Sequence, residues 1–185
     1  VVFDHPSFRL SMDETSPVYM KTETFSAYRI QWPVIGDVIA EGLMLVPNLL
    51  TVRSTELPID PDFAKSYAER AAFDSYYSIA HVIALPDADQ TPEQLAGLAP
   101  GIDSTSQFAR RLVESGCRVI IPDLVSRKMR RRQSPYGGWG SELSDREFLY
   151  RSAYEMGRGL AGYEVQSVLS LVDWIESKQG QERRR

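Results

Sequence analysis

Two short apolar runs, residues 81–85 (HVIAL) and 117–121 (CRVII), constrain this chain more than anything else in it. Each is long enough for a buried strand and too short for a helix. Between them, residues 106–115 place Phe108, Ala109, Leu112 and Val113 at helical spacing. Gly116 then stands where a glycine commonly closes a helix. Pro86, Asp87, Ala88, Asp89 and Gln90 end the first run with turn formers, and Pro122 ends the second. Two buried strands joined by a helical crossover pair in parallel, and such crossovers are right-handed. Residues 80–123 therefore read as one βαβ unit, and the expected fold class is α/β.

The segments on either side extend the sheet. Residues 24–32 (TFSAYRIQW) alternate well enough for a strand, residues 33–37 supply a turn, and residues 38–46 (VIAEGLMLV) form a second strand. So short a connection makes an antiparallel hairpin, which would edge an otherwise parallel sheet. Residues 1–23 read as an irregular lead. Residues 48–79 read as an insertion, with Asp60 and Pro61 able to start a helix that carries Phe63, Tyr67 and Ala71. Its bland reading is a surface embellishment, and Phe73, Tyr76 and Tyr77 read as packing.

Downstream, Ser144 and Glu147 have the spacing of a capping box ahead of Phe148, Leu149, Ala153 and Met156. Gly157, Gly159 and Gly162 predict a break. Residues 163–177 then carry Val165, Val168, Leu169, Val172 and Ile175 at helical spacing, a stripe expected to lie on the sheet. Residues 178–185 read as a disordered tail.

Composition narrows the function classes. Hydrophobic content of 43% and charged content of 25% are those of a soluble globular domain. A net charge of -4 gives no general attraction to nucleic acid or anionic membrane. No apolar run reaches the ~18 residues that a spanning helix needs. Residues 1–10 show neither a basic nor an apolar signal region. The chain begins without Met, so a removed leader and the compartment stay open. The single cysteine, Cys117, excludes an internal disulfide and multi-cysteine metal sites, and within a strand it reads as an inert buried thiol.

Three stretches carry a resemblance: HVIALPDADQTPEQLAGLAP, QFARRLVESGCRVIIP and REFLYRSAYEMGRGLAGYEVQSVLSLVDWI. In that order they resemble the N-terminal half of the α/β-hydrolase superfamily. More narrowly, they are similar to its dienelactone hydrolase and acetyl xylan esterase-like branch. The resemblance covers most of residues 80–175. It implies a single, incomplete α/β-hydrolase domain over residues 1–185: a mixed sheet with an antiparallel N-terminal hairpin, then parallel strands and crossover helices. It also implies a serine carboxylic-ester hydrolase acting on small-molecule or carbohydrate esters, acetylated ones among them, without a cofactor. In that family the strand after the YEVQSVLSLVDWI helix leads into a G-x-S-x-G nucleophile turn, which these residues do not contain. The resemblance thus implies that nucleophile, acid and base lie on a missing C-terminal half or a companion chain, and that this chain alone is inactive. The alternative is a non-catalytic α/β binding or assembly module that pairs with a partner chain.

Within that frame the loop after residues 81–85 is the sharpest candidate. In such hydrolases a backbone N–H from this loop donates to the oxyanion, which assigns that role to the amides of Asp87 and Ala88. Asp87 and Asp89 could also share a hard cation, but no third acidic ligand follows, so a turn-forming or helix-capping role is preferred and no metal is expected. His81, at the start of a strand, reads as structural rather than as a base. Arg127, Lys128, Arg130, Arg131 and Arg132 read as a solvated loop. Because that loop follows the second buried strand, Arg127, Arg130 and Trp139 are also substrate-loop candidates, with an anionic uronate ester as the ligand they would suit.

Overall fold

The computed structural model describes residues 9–10, 18–48, 78–87, 89–132 and 141–182. Most of the insertion read at 48–79, with its helix and aromatic cluster, lies outside them, as do Ala88 and Trp139.

The hairpin is present. β3 (Phe25–Ile35) and β4 (Val38–Pro47) pair antiparallel, with Tyr28 opposite Met44. Gly36 turns the chain at φ +56, a left-handed conformation that glycine adopts without a Cβ penalty. Two shorter strands, β1 (Arg9–Leu10) and β2 (Met20–Lys21), pair with β3. Part of the lead expected to be irregular thus joins the sheet, in pieces too short to show any periodicity.

The βαβ unit closes as its strands require. β5 (His81–Ile83) and β6 (Arg118–Pro122) run parallel with Val82 opposite Val119. β6 also pairs antiparallel with β4, so the sheet order is β1-β3-β4-β6-β5. Gly42 sits where β4 passes β6, and a Cβ there would collide with the Ile121 carbonyl. The crossover holds α1 (Pro92–Leu95), a 3-10 turn (Ser104–Ser106) and α2 (Phe108–Glu114). Gly116 ends it at φ +95.

Alternation along the strands sorts the core into two layers. Leu43, Leu45, Val119 and Ile121 face α1 and α2, where Leu95, Ala96, Ala109 and Val113 are buried. Met44, Val46 and Ile120 face the other way, with Tyr28, Ile30 and Trp32, against Leu171 and Trp174. These last two belong to α4 (Leu160–Glu182). Helices therefore cover both faces of a mixed sheet, which is the α/β arrangement.

Two expectations about α4 need correction. The stripe expected on the sheet is turned partly outward: Val165 is 59% and Leu169 is 49% exposed, while Leu171 and Trp174 are buried. The cause is the anchor on β3, whose Trp32 indole N–H donates to the Ser167 carbonyl at 3.1 Å and sets the helix's rotation. Nor does order end at residue 177, because α4 continues to Glu182 through good helix formers such as Lys178 and Gln179. The predicted break ahead of it does occur, between α3 (Asp145–Glu155) and α4, with Gly157 at φ +71. At the start of α3, the Ser144 hydroxyl accepts the Glu147 amide at 3.1 Å, which is one half of the expected capping box. The Glu147 carboxylate instead accepts from Arg151 at 2.6 Å. The basic run is only partly a loop, since Met129–Arg132 forms β7 and pairs antiparallel with β8 (Ser141–Ser144). Among the described residues, no helix is long and apolar enough to cross a membrane.

Candidate functional site: the loops after β5 and β6

Parallel strands release their C-terminal loops at the same end of a sheet, and open α/β sheets bind ligands there. The segments following β5 and β6 do meet. Arg127 Nη1 lies 3.5 Å from Asp89 Oδ2 and 3.8 Å from Asp87 Oδ1. All three side chains are more than half exposed, so the contact is a solvent-screened latch between two loops rather than a buried ion pair.

The β5 loop is also tied to itself. The Gln90 amide donates to the Asp87 carbonyl at 2.9 Å, and the Asp87 amide donates to Gln90 Oε1 at 3.2 Å. Just beyond, Thr91 Oγ1 accepts the Gln94 amide at 3.3 Å, while Gln94 Oε1 accepts the Thr91 amide at 2.9 Å. This reciprocal cap starts α1, with Pro92 in its first turn. The capping role expected of Asp87 or Asp89 therefore falls to Thr91, and the T-x-x-Q spacing was the available signal. Both aspartates are spoken for by Arg127.

A carboxylate group adjoins these loops. Asp123 directly follows β6, and its amide donates to the Glu41 carbonyl at 2.8 Å. Burial pushes its carboxyl above the usual aspartate range, and Glu93 reinforces the shift. Glu93 in turn accepts from Arg29 at 2.8 Å, and the Arg29 guanidinium sits 4.4 Å from the Tyr19 ring centre.

His81 stands at the other end of β5, opposite Arg118 across the strand pair. Burial, with Arg118 adding to it, lowers its pKa to about 4. It is neutral at physiological pH and remote from the loop end. Cys117, expected within a strand and buried, instead directly precedes β6 and packs partly buried against the first core layer. Arg130 lies in β7 opposite Leu143. Among the described residues, this end of the sheet sets the Asp87 N–H, which donates to Gln90 Oε1, beside a charged latch. The Gln90 and Arg127 contacts were not legible in the sequence, because each depends on how a loop folds back rather than on spacing.

No family model matches this sequence, and no curated protein does. Among solved structures, the fold is similar to the crystal structure of a "putative acetyl xylan esterase" from Bacteroides fragilis. The TM-score is 0.50 at 15% sequence identity, and the match covers 84% of this chain. It spans 36% of that protein's length, so the likeness is to the fold of about a third of that chain.

Proposed function

We propose that this chain forms the N-terminal portion of a serine carboxylic-ester hydrolase, acting on small-molecule or carbohydrate esters. In this reading it contributes scaffold, substrate loops and the Asp87 amide as one oxyanion donor. Nucleophile, orienting acid and histidine base belong to a C-terminal half or companion chain. A preorganised amide in such a place is worth ~10²–10³ in rate, because it already points where negative charge develops.

The observation that carries the reading is the open side of β5. Among the described residues β5 has one strand neighbour, β6, and the α4 face holding Val165 and Leu169 is exposed. A further parallel strand added to β5 would satisfy the first feature, and its connections would cover the second. A turn at the C-terminal end of that strand would emerge next to the loop holding Asp87. The esterase-like fold of the Bacteroides fragilis protein is consistent with this reading.

The test is to express the 185 residues together with whatever the encoding frame supplies after Arg185 and to assay p-nitrophenyl acetate. Hydrolysis that is lost when the serine of a downstream G-x-S-x-G is changed to alanine supports the proposal. A frame that stops at Arg185, with a chain that binds a partner protein but hydrolyses nothing, favours the binding or assembly module instead.

A further inference from the structure

The Asp87 N–H already has an acceptor, Gln90 Oε1 at 3.2 Å. That oxygen belongs to a neutral carboxamide, so it is a chemical likeness of a carbonyl resting on the donor. Its own chain is fixed at the other side of the same turn by the Gln90 amide, 2.9 Å from the Asp87 carbonyl. Arg127 reaches the Asp87 and Asp89 carboxylates at 3.8 and 3.5 Å, a solvent-screened contact that adds little to the turn's own two hydrogen bonds.

We propose that Gln90 is a positioning residue that works through the Asp87 amide, a placeholder whose side-chain oxygen must swing away before a substrate oxygen can take the hydrogen bond. This inference rests on the esterase reading and names the group that competes with substrate. An amide oxygen is a better acceptor than the carbonyl of a neutral ester, so a ground-state ester gains nothing by displacing it. An oxyanion is a charged acceptor and binds the same donor roughly twice as strongly. Displacement therefore accompanies the approach to the tetrahedral intermediate, and the placeholder keeps the donor satisfied in the resting protein.

The experiment compares wild type, Gln90→Ala and Gln90→Glu in the full-length protein, with p-nitrophenyl acetate as substrate. Gln90→Ala removes the competitor, and kcat/KM is expected to rise between about two- and tenfold, the span of one net hydrogen bond. Gln90→Glu is isosteric and places a charged acceptor on the amide. It is expected to lower kcat/KM more than about tenfold near neutral pH, with recovery as pH falls toward the ordinary glutamate range near 4.3. A purely structural role would not produce that recovery. Equal or lower kcat/KM in Gln90→Ala, or a Gln90→Glu profile parallel to wild type, overturns the inference alone. Wild type that hydrolyses no ester overturns the esterase reading and this one with it. Amide hydrogen exchange on the 185-residue chain checks the contact without catalysis. The Asp87 amide should exchange faster in Gln90→Ala than in wild type, and unchanged exchange also overturns the inference.

Discussion

Trp32 on β3 donates its indole N–H to the backbone carbonyl of Ser167 on α4, 3.1 Å away and 135 positions along in sequence. The ring is 1% exposed and sits among Tyr28, Ile30, Met44, Leu171 and Trp174. One side chain thus fills the second core layer and fixes how α4 lies on the sheet. Trp32→Phe should cost about 0.5–1.5 kcal/mol for the lost hydrogen bond, with a further loss from the smaller ring. Trp32→Ala should cost about 3–5 kcal/mol. Urea denaturation followed by circular dichroism measures both. Equal losses for the two would mean that the hydrogen bond, and not the packed ring, carries the site.

Two glycines should respond in opposite directions to the same substitution. At Gly42 a Cβ would meet the Ile121 carbonyl and lie 3.1 Å from Pro122 Cα, both on a paired strand that cannot move aside cheaply. Gly42→Ala is expected to destabilise by about 1–3 kcal/mol or more. At Gly162, inside α4, nothing lies within 4 Å of a built Cβ. Gly162→Ala is expected to stabilise by about 0.4–1 kcal/mol, because it narrows the unfolded ensemble and favours the helix. Melting temperatures of the two variants decide the matter.

His81 makes stability depend on pH. Its folded pKa of about 4 lies below the ordinary value near 6.5, so the folded state keeps the ring neutral while the unfolded chain takes up a proton. The contribution is complete above about pH 6.5 and is lost as pH falls toward 4. Asp123, with its carboxyl pushed up by burial, acts in the opposite sense at the acid end of that window. The comparison therefore belongs between pH 7 and about 5.5. Denaturation midpoints for wild type should fall over that interval, and His81→Leu should flatten the slope. An unchanged slope in the variant would place the acid sensitivity elsewhere.

The parts of the fold legible in the sequence are those set by burial on both faces of a strand. CRVII does run into a fully buried strand, and Val82 does sit beside Val119 in a parallel pair. HVIAL is a buried strand only in part: β5 ends at Ile83, its residues are half-buried at the end of the described sheet, and Leu85 is 51% exposed. The β3–β4 hairpin followed from alternation and a short turn. The face of α4 did not, because a helix with apolar residues on two adjacent stripes offers two rotations. The choice between them is made by Trp32 reaching across from β3. β1 and β2 are two residues each and carry no period at all. At the candidate site, Asp87 was reachable through the position of its loop. Its partners Gln90 and Arg127 were not, since side chains folding back on a turn leave no regular spacing behind.

The most direct test of the account is intact-mass spectrometry after incubation with a fluorophosphonate probe. The 185-residue chain should remain unlabelled at every serine, and the full-length protein should gain one adduct, mapped to a serine beyond Arg185. An adduct on a serine within these 185 residues, or none on an active full-length esterase, would contradict the assignment of scaffold and oxyanion loop to this chain and of the nucleophile to another segment.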